Sequence, residues 1–286
     1  MSEIIKNQDY IAPTEHPKFV TKAYYTLSEW NLLNEEDKKN ILNAVGISKF
    51  NRQSGESIDW ARWSWNPISG CNHGCEYCYA NDVAQRFYEQ KFEPSIWPHR
   101  FSMPKNTKLS KKKNDDVDNS KNKSDAEKVV KGKRNNNVFT VSMGDLFGEW
   151  VPKEWIAHTL KTIKDNPQWN FILLTKNPNR LKEFVFPNNT WIGATVDCQD
   201  RVELTQKAFT QFKATVKFIS CEPFTDYLQF TDMGMFDWVI IGGRSKNRNL
   251  PAFKPSLLSL SRFRKQVKKY DCKLYEKSNV LLKEYP

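Results

Sequence analysis

From residue 59 onward the chain repeats one pattern: a short apolar run, a polar or glycine-bearing turn, a longer amphipathic stretch, then another short apolar run. Runs at 61–68, 138–143, 170–175, 190–196, 216–220, 237–241 and 273–275 have strand length. Helix-like segments at 79–90, 152–165, 177–184, 199–212 and 256–269 separate them. Strands that alternate with helices must be joined by crossovers, and crossovers make parallel sheets. Six or seven such units predict an α/β fold, a full or partial β/α (TIM-like) barrel rather than an open doubly wound sheet. A chain of 286 residues with 39% hydrophobic content can bury one sizeable core, as single-domain barrels do.

What precedes and interrupts the repeat differs in kind. Residues 1–58 read as a small helical N-terminal extension. Ser28 is placed to cap a short turn, and Asn34 to cap a helix over 35–45 that stops at Gly46. Ile41, Leu42 and Val45 make the face that packs on the main body, the barrel of residues 59–286. Residues 105–137 carry eleven Lys/Arg against five Asp/Glu and few large apolar side chains. This stretch supplies six of the eleven net positive charges and reads as a disordered, solvated insertion. Residues 1–13 lack the apolar centre of a leader, and no run approaches eighteen apolar residues. The expectation is a soluble cytoplasmic protein without a membrane partner.

In a β/α barrel the strand ends open onto one rim, where active sites lie. Here those ends carry Gly144–Asp145, Thr175–Lys176, Asp197, Cys221–Glu222, Gly242–Gly243–Arg244 and Glu276–Lys277. Turn formation accounts for the glycines and some of the aspartates. It does not account for Lys176, Glu222 and Lys277. Lys176, Arg244 and Lys277 suit an anionic substrate, although rim lysines also pair with rim acids.

The loop after the first strand holds Cys71, Cys75 and Cys78, three of the six cysteines within eight residues. Such bunching points to metal before disulfide. The C-x3-C-x2-C spacing lets three thiolates reach three corners of a cubane and leaves one iron open, since no fourth cysteine stands nearby. A Cys3His zinc site with His73 is the competing reading, in a zinc-stabilised nucleic-acid-binding protein without catalysis. Its four ligands would crowd eight residues. Cys198 and Cys272 read as packing residues, as do most of the ten tryptophans.

With Tyr77 at the aromatic position, C-x3-C-x-aromatic-C resembles the signature of radical S-adenosylmethionine (SAM) enzymes. More narrowly, the chain is similar to a phage-associated family of unknown function within that superfamily. The resemblance rests on residues 65–71, 142–147, 173–178, 191–193, 220–223 and 237–243, in family order. It implies that Cys71, Cys75 and Cys78 hold a 4Fe–4S cluster whose open iron takes the amino and carboxylate groups of SAM. Gly144 and Asp145 correspond to the Gly-Gly-Glu-like segment, with Asp145 accepting from the methionine amine. Thr195 and Asp197 would meet the ribose, and the backbone at Glu222 and the ring of Tyr77 the adenine. Cys221 is either a hydrogen-atom donor to a product radical or a small buried residue. The implied partners are an electron donor such as flavodoxin or ferredoxin and an unidentified substrate. The basic rim and the resemblance together point to a nucleotide or nucleic acid for that substrate.

Overall fold

A run such as Asn170–Thr175, with four apolar residues in succession, suits a strand covered on both faces. The computed structural model describes residues 22–53, 58, 60–109, 135–277 and 279–280, and it covers these runs on both sides. The first elements are β1 (Tyr25–Thr26), α1 (Leu27–Asn31), α2 (Glu35–Leu42), β2 (Asn51–Arg52), β3 (Trp63–Trp65) and β4 (Ile68–Ser69). Then come α3 (Tyr79–Phe87), β5 (Ser95–Ile96), α4 (Met103–Asn106), β6 (Asn137–Thr140) and α5 (Lys153–Lys164). The chain continues with β7 (Asn170–Thr175), β8 (Thr190–Thr195), α6 (Asp200–Phe209), β9 (Val216–Cys221), β10 (Trp238–Ile241), α7 (Leu257–Lys269) and β11 (Lys273–Glu276).

Eight strands form one sheet in the order β11-β10-β9-β8-β7-β6-β3-β2. Every pair from β3 to β11 is parallel; β2 joins its edge antiparallel. A second, small antiparallel sheet runs β1-β5-β4. Among the described residues no ladder joins β2 to β11. The fold is therefore α/β with a large, mostly parallel sheet, and the expected barrel closure is not part of it. Strand order follows chain order, so right-handed crossovers place the helices on one face.

Side-chain alternation separates two apolar layers. Phe171 and Leu173 of β7, and Val239 and Ile241 of β10, join the main core with Trp155 and Ile163 of α5. Ile172 and Ile240 face the other way, with Trp60, Phe139 and Phe218. That second face is concave. Trp60, just before β3, meets Trp238 of β10 with ring centroids 6.1 Å apart. These strands are five steps apart in the sheet, about 24 Å if it were flat.

Several sequence expectations shift. The first turn is capped by Thr26 in a capping box with Glu29, not by Ser28, whose hydroxyl donates to Glu93. Asn34 does cap α2, but the helix ends at Leu42, and Val45 is exposed rather than packed. The strand over 61–68 breaks after Trp65, because Pro67 has no N–H to give, and resumes as β4 in the other sheet. The strand over 138–143 stops at Thr140, and Val141 turns to φ +63°. The helix over 177–184 is a 3-10 turn at Pro178–Glu183. Residues 22–53 share the sheet's core: Trp30 is fully buried, lies edge-on to Trp155 and donates to Glu154. Within the expected insertion, Lys105 and Asn106 finish α4, and Asn137 opens β6. Residues 110–134 of that expectation lie outside the described residues. Among the described residues no helix is long and apolar enough to cross a membrane.

Candidate metal and ligand site

The cysteine loop can sit where it does because two glycines let two backbones touch. Gly70 bridges Gly144 across the ends of the first two parallel strands. Gly70 adopts φ +87°, and a Cβ there would fall 2.3 Å from the Glu93 carbonyl oxygen. A Cβ on Gly144 would fall 2.7 Å from the Gly70 oxygen. Past this contact, Cys71, Cys75 and Cys78 all line one cavity of about 470 Å³. Cys78 is the N-cap of α3, and its Sγ accepts from the Asn81 N–H at 3.4 Å. A helix N-terminus favours the thiolate, the form that ligates metal. Burial works the other way, pushing the Cys71 thiol up to about 12 and raising Cys78 as well.

The cavity continues the concave face beyond the strand ends. Counting by twos along each strand from that face leads to Val141, Lys176, Thr195, Ser220, Glu222 and Lys277, which all line it. Tyr77, Gly144 and Asp145 line it too. Asp145 is buried, and its carboxylate joins three loops. Oδ1 accepts from the Phe147 N–H, and Oδ2 from the Lys176 N–H at 2.9 Å, with His73 Nε2 at 2.8 Å. His73, the competing fourth zinc ligand, thus has that nitrogen committed to Asp145 and lies edge-on to Trp150. Among the described residues no three His, Cys, Asp or Glu are gathered to hold a single metal ion.

The remaining rim acids also have partners. Asp197 accepts from the Tyr77 hydroxyl and pairs with Arg201 at 2.5 Å and Lys176 Nζ at 3.5 Å. Burial alone would raise its pKa, but Lys176, Tyr77 and Arg201 outweigh burial and hold it below the usual range. Tyr77 is pushed up by burial and by the Asp197 charge, so it stays a hydroxyl donor. Glu222 accepts from Ser220 Oγ at 2.8 Å and pairs with Lys277 at 2.7 Å.

Residues 55–275 match the family described as Protein of unknown function (DUF5131). The chain belongs to this family. The DUF5131 match takes in the cysteine loop and all the parallel strands but for Glu276 at the end of β11, and leaves α1 and α2 outside. A search of the curated proteins finds no match.

Two of the expected site residues in this DUF5131 chain, Cys221 and Asp197, do not line the cavity, and for Cys221 the alternative of a small buried residue is the one that fits. Cys221 is fully buried in the helix-side core, and burial raises its thiol pKa well above the ordinary value. It lies on the wrong face of β9 to serve the cavity, which receives Ser220 and Glu222 instead. Asp197 stands behind Tyr77 and Lys176 rather than in the lining. Cys198 is exposed, so it is no packing residue; Cys272 is half-buried and donates to the Phe236 oxygen. Sequence reading missed the His73–Asp145 pair, Arg201, Ser220 and Trp60, although the two-residue period would have found Ser220. It also missed a hairpin after β10. Arg244 pairs with Phe253, and the tip reaches the cysteine loop: Asn247 donates to the Glu76 oxygen and the Arg248 N–H to Asp82.

Proposed function

We propose that this DUF5131 chain is a radical SAM enzyme. The observation that carries the reading is the C-x3-C-x2-C triad on the loop after the first parallel strand, with every cysteine lining one strand-end cavity and no fourth cysteine beside it. Three thiols and an adjoining cavity suit a 4Fe–4S cluster with one open iron. The curl of the sheet supports the finer fold reading, a partial β/α barrel of seven parallel strands. When bound and reduced by a donor such as flavodoxin or ferredoxin, the cluster would supply the electron that splits SAM into methionine and a 5′-deoxyadenosyl radical, which takes hydrogen from a substrate carbon.

The chain's own groups position and enclose. An ionised carboxylate offers about four lone-pair sites, and Asp145 uses three on His73, Phe147 and Lys176. The fourth suits the methionine ammonium. Thr195 and Tyr77 line the cavity where a ribose and an adenine would rest, and Asp197 orients Tyr77 and Lys176 from behind. Glu222, held by Ser220 and Lys277, forms the far wall. A cytoplasmic, reducing location fits such a cluster.

Anaerobic reconstitution should load about four iron and four sulfide per chain. Dithionite and SAM should then yield 5′-deoxyadenosine. Cys75→Ala should abolish both. Stoichiometric zinc without iron would sink the proposal.

A further inference from the structure

The rim cations divide into two kinds. Lys176 and Lys277 are matched by Asp197 and Glu222. Arg244 and Lys246 of the hairpin line the same cavity and form no ion pair with any described residue. Arg244 is half-buried, and its Nε donates to the Pro251 oxygen at 3.0 Å. That bond steadies the side chain and leaves four of the five guanidinium N–H groups for another acceptor. The concave floor of the same cavity is apolar and aromatic, with Trp60, Phe139 and Leu174 among its lining residues.

We infer that this cavity binds a small phosphomonoester with a flat apolar body, of which a mononucleotide is the simplest case. The phosphate sits on Arg244 and Lys246, and the base lies on the Trp60–Phe139 floor. Two unmatched cations balance a dianionic phosphate, whereas a carboxylate would leave one unanswered. The guanidinium fork suits phosphate oxygens in particular. The inference deepens the proposed function and rests on it for the cavity being where reaction occurs; ligand binding itself can be measured without the cluster.

The test titrates ribo- and deoxyribonucleoside monophosphates, and the matching nucleosides, into the full chain by calorimetry, before and after anaerobic reconstitution. At least one monophosphate should bind, and its nucleoside about tenfold more weakly or worse. Arg244→Lys keeps the charge but loses the fork, and Lys246→Gln removes a charge on an exposed side chain. Each should weaken the monophosphate, Arg244→Lys by about tenfold, and leave the nucleoside unchanged. Circular dichroism confirms that the variants are folded. The inference is overturned if no monophosphate binds, if the phosphate adds nothing, or if both folded variants bind like the original. It is equally overturned if a short single-stranded oligonucleotide binds far more tightly than every monophosphate, with the steep salt dependence of a polymer site. SAM cleavage on the same samples separates the two proposals. Cleavage without monophosphate binding removes only this inference; binding without cluster loading removes only the radical SAM reading.

Discussion

Asp197 is one carboxylate with three partners, the Tyr77 hydroxyl, Lys176 and Arg201, on a nearly buried side chain. Because its folded pKa lies below the ordinary carboxylate value, its contribution to stability is present above about pH 4 and lost as pH falls through the depressed value. Asp197→Asn should therefore cost about 2 kcal/mol at neutral pH, the worth of a charge-assisted hydrogen bond. The gap to the unaltered protein should narrow in acid. Urea melts at several pH values check this, and a gap that stays constant down to strongly acidic pH would show that the ion pairs add nothing. Asp145, by comparison, is surrounded by N–H donors from three loops. It resembles a ligand group in the sequence because a carboxylate at a strand end serves either purpose, and only the positions of His73 and Lys176 reveal the second one.

At the scale of elements, β7, β8 and β9 match expectation almost residue for residue, because each carries a mainly apolar, largely buried stretch of strand length that needs little context to read. The short strands β1, β2, β4 and β5 carry no such signal. Each has only two residues, and they form because tertiary neighbours supply the pairing. The cysteine triad and five of the other expected site residues, Tyr77, Gly144, Asp145, Thr195 and Glu222, do meet in one cavity, since strand-end position determines the rim. Cys221 does not, because its side chain points to the opposite face from Ser220 and Glu222, a parity the sequence already contained. The loop's glycine joint gives a sharper expectation. Gly70→Ala adds a Cβ against the Glu93 carbonyl and puts strain on a left-handed backbone. That should cost about 1–2 kcal/mol or more and displace the cysteine loop. Cluster loading should fall while the far-ultraviolet dichroism of the sheet and helices is kept. Full loading in a Gly70→Ala protein of unchanged stability would show that the joint is looser than its geometry.

Over the whole molecule, an open ladder still makes one continuous site, because the rim is joined by loops rather than by strand pairing. The hairpin after β10 crosses to the cysteine loop after the first parallel strand, with Asn247 donating to the Glu76 oxygen at 2.7 Å and the Arg248 N–H to Asp82 at 2.9 Å. These contacts, like the Trp60–Trp238 pair below them, exist only if the sheet curls. The side chain of Asn247 also accepts from the Leu250 N–H, so it shapes the hairpin as well as holding its target. Removing one such hydrogen bond frees about 1 kcal/mol of local stability, enough for about a fivefold change in an opening equilibrium. Asn247→Ala should therefore speed amide hydrogen exchange in residues 71–79 as well as in 244–253. Exchange in α5 (Lys153–Lys164), on the helix side of the sheet, should be unaffected. Mass spectrometry of peptic fragments resolves these segments. Faster exchange confined to the hairpin would mean that the cysteine loop keeps its own order and that the two sides of the rim merely touch. Faster exchange in both, with α5 unchanged, would mean that the cysteine loop, which by our proposal carries the cluster, depends on a strap contributed from the far side of the sheet.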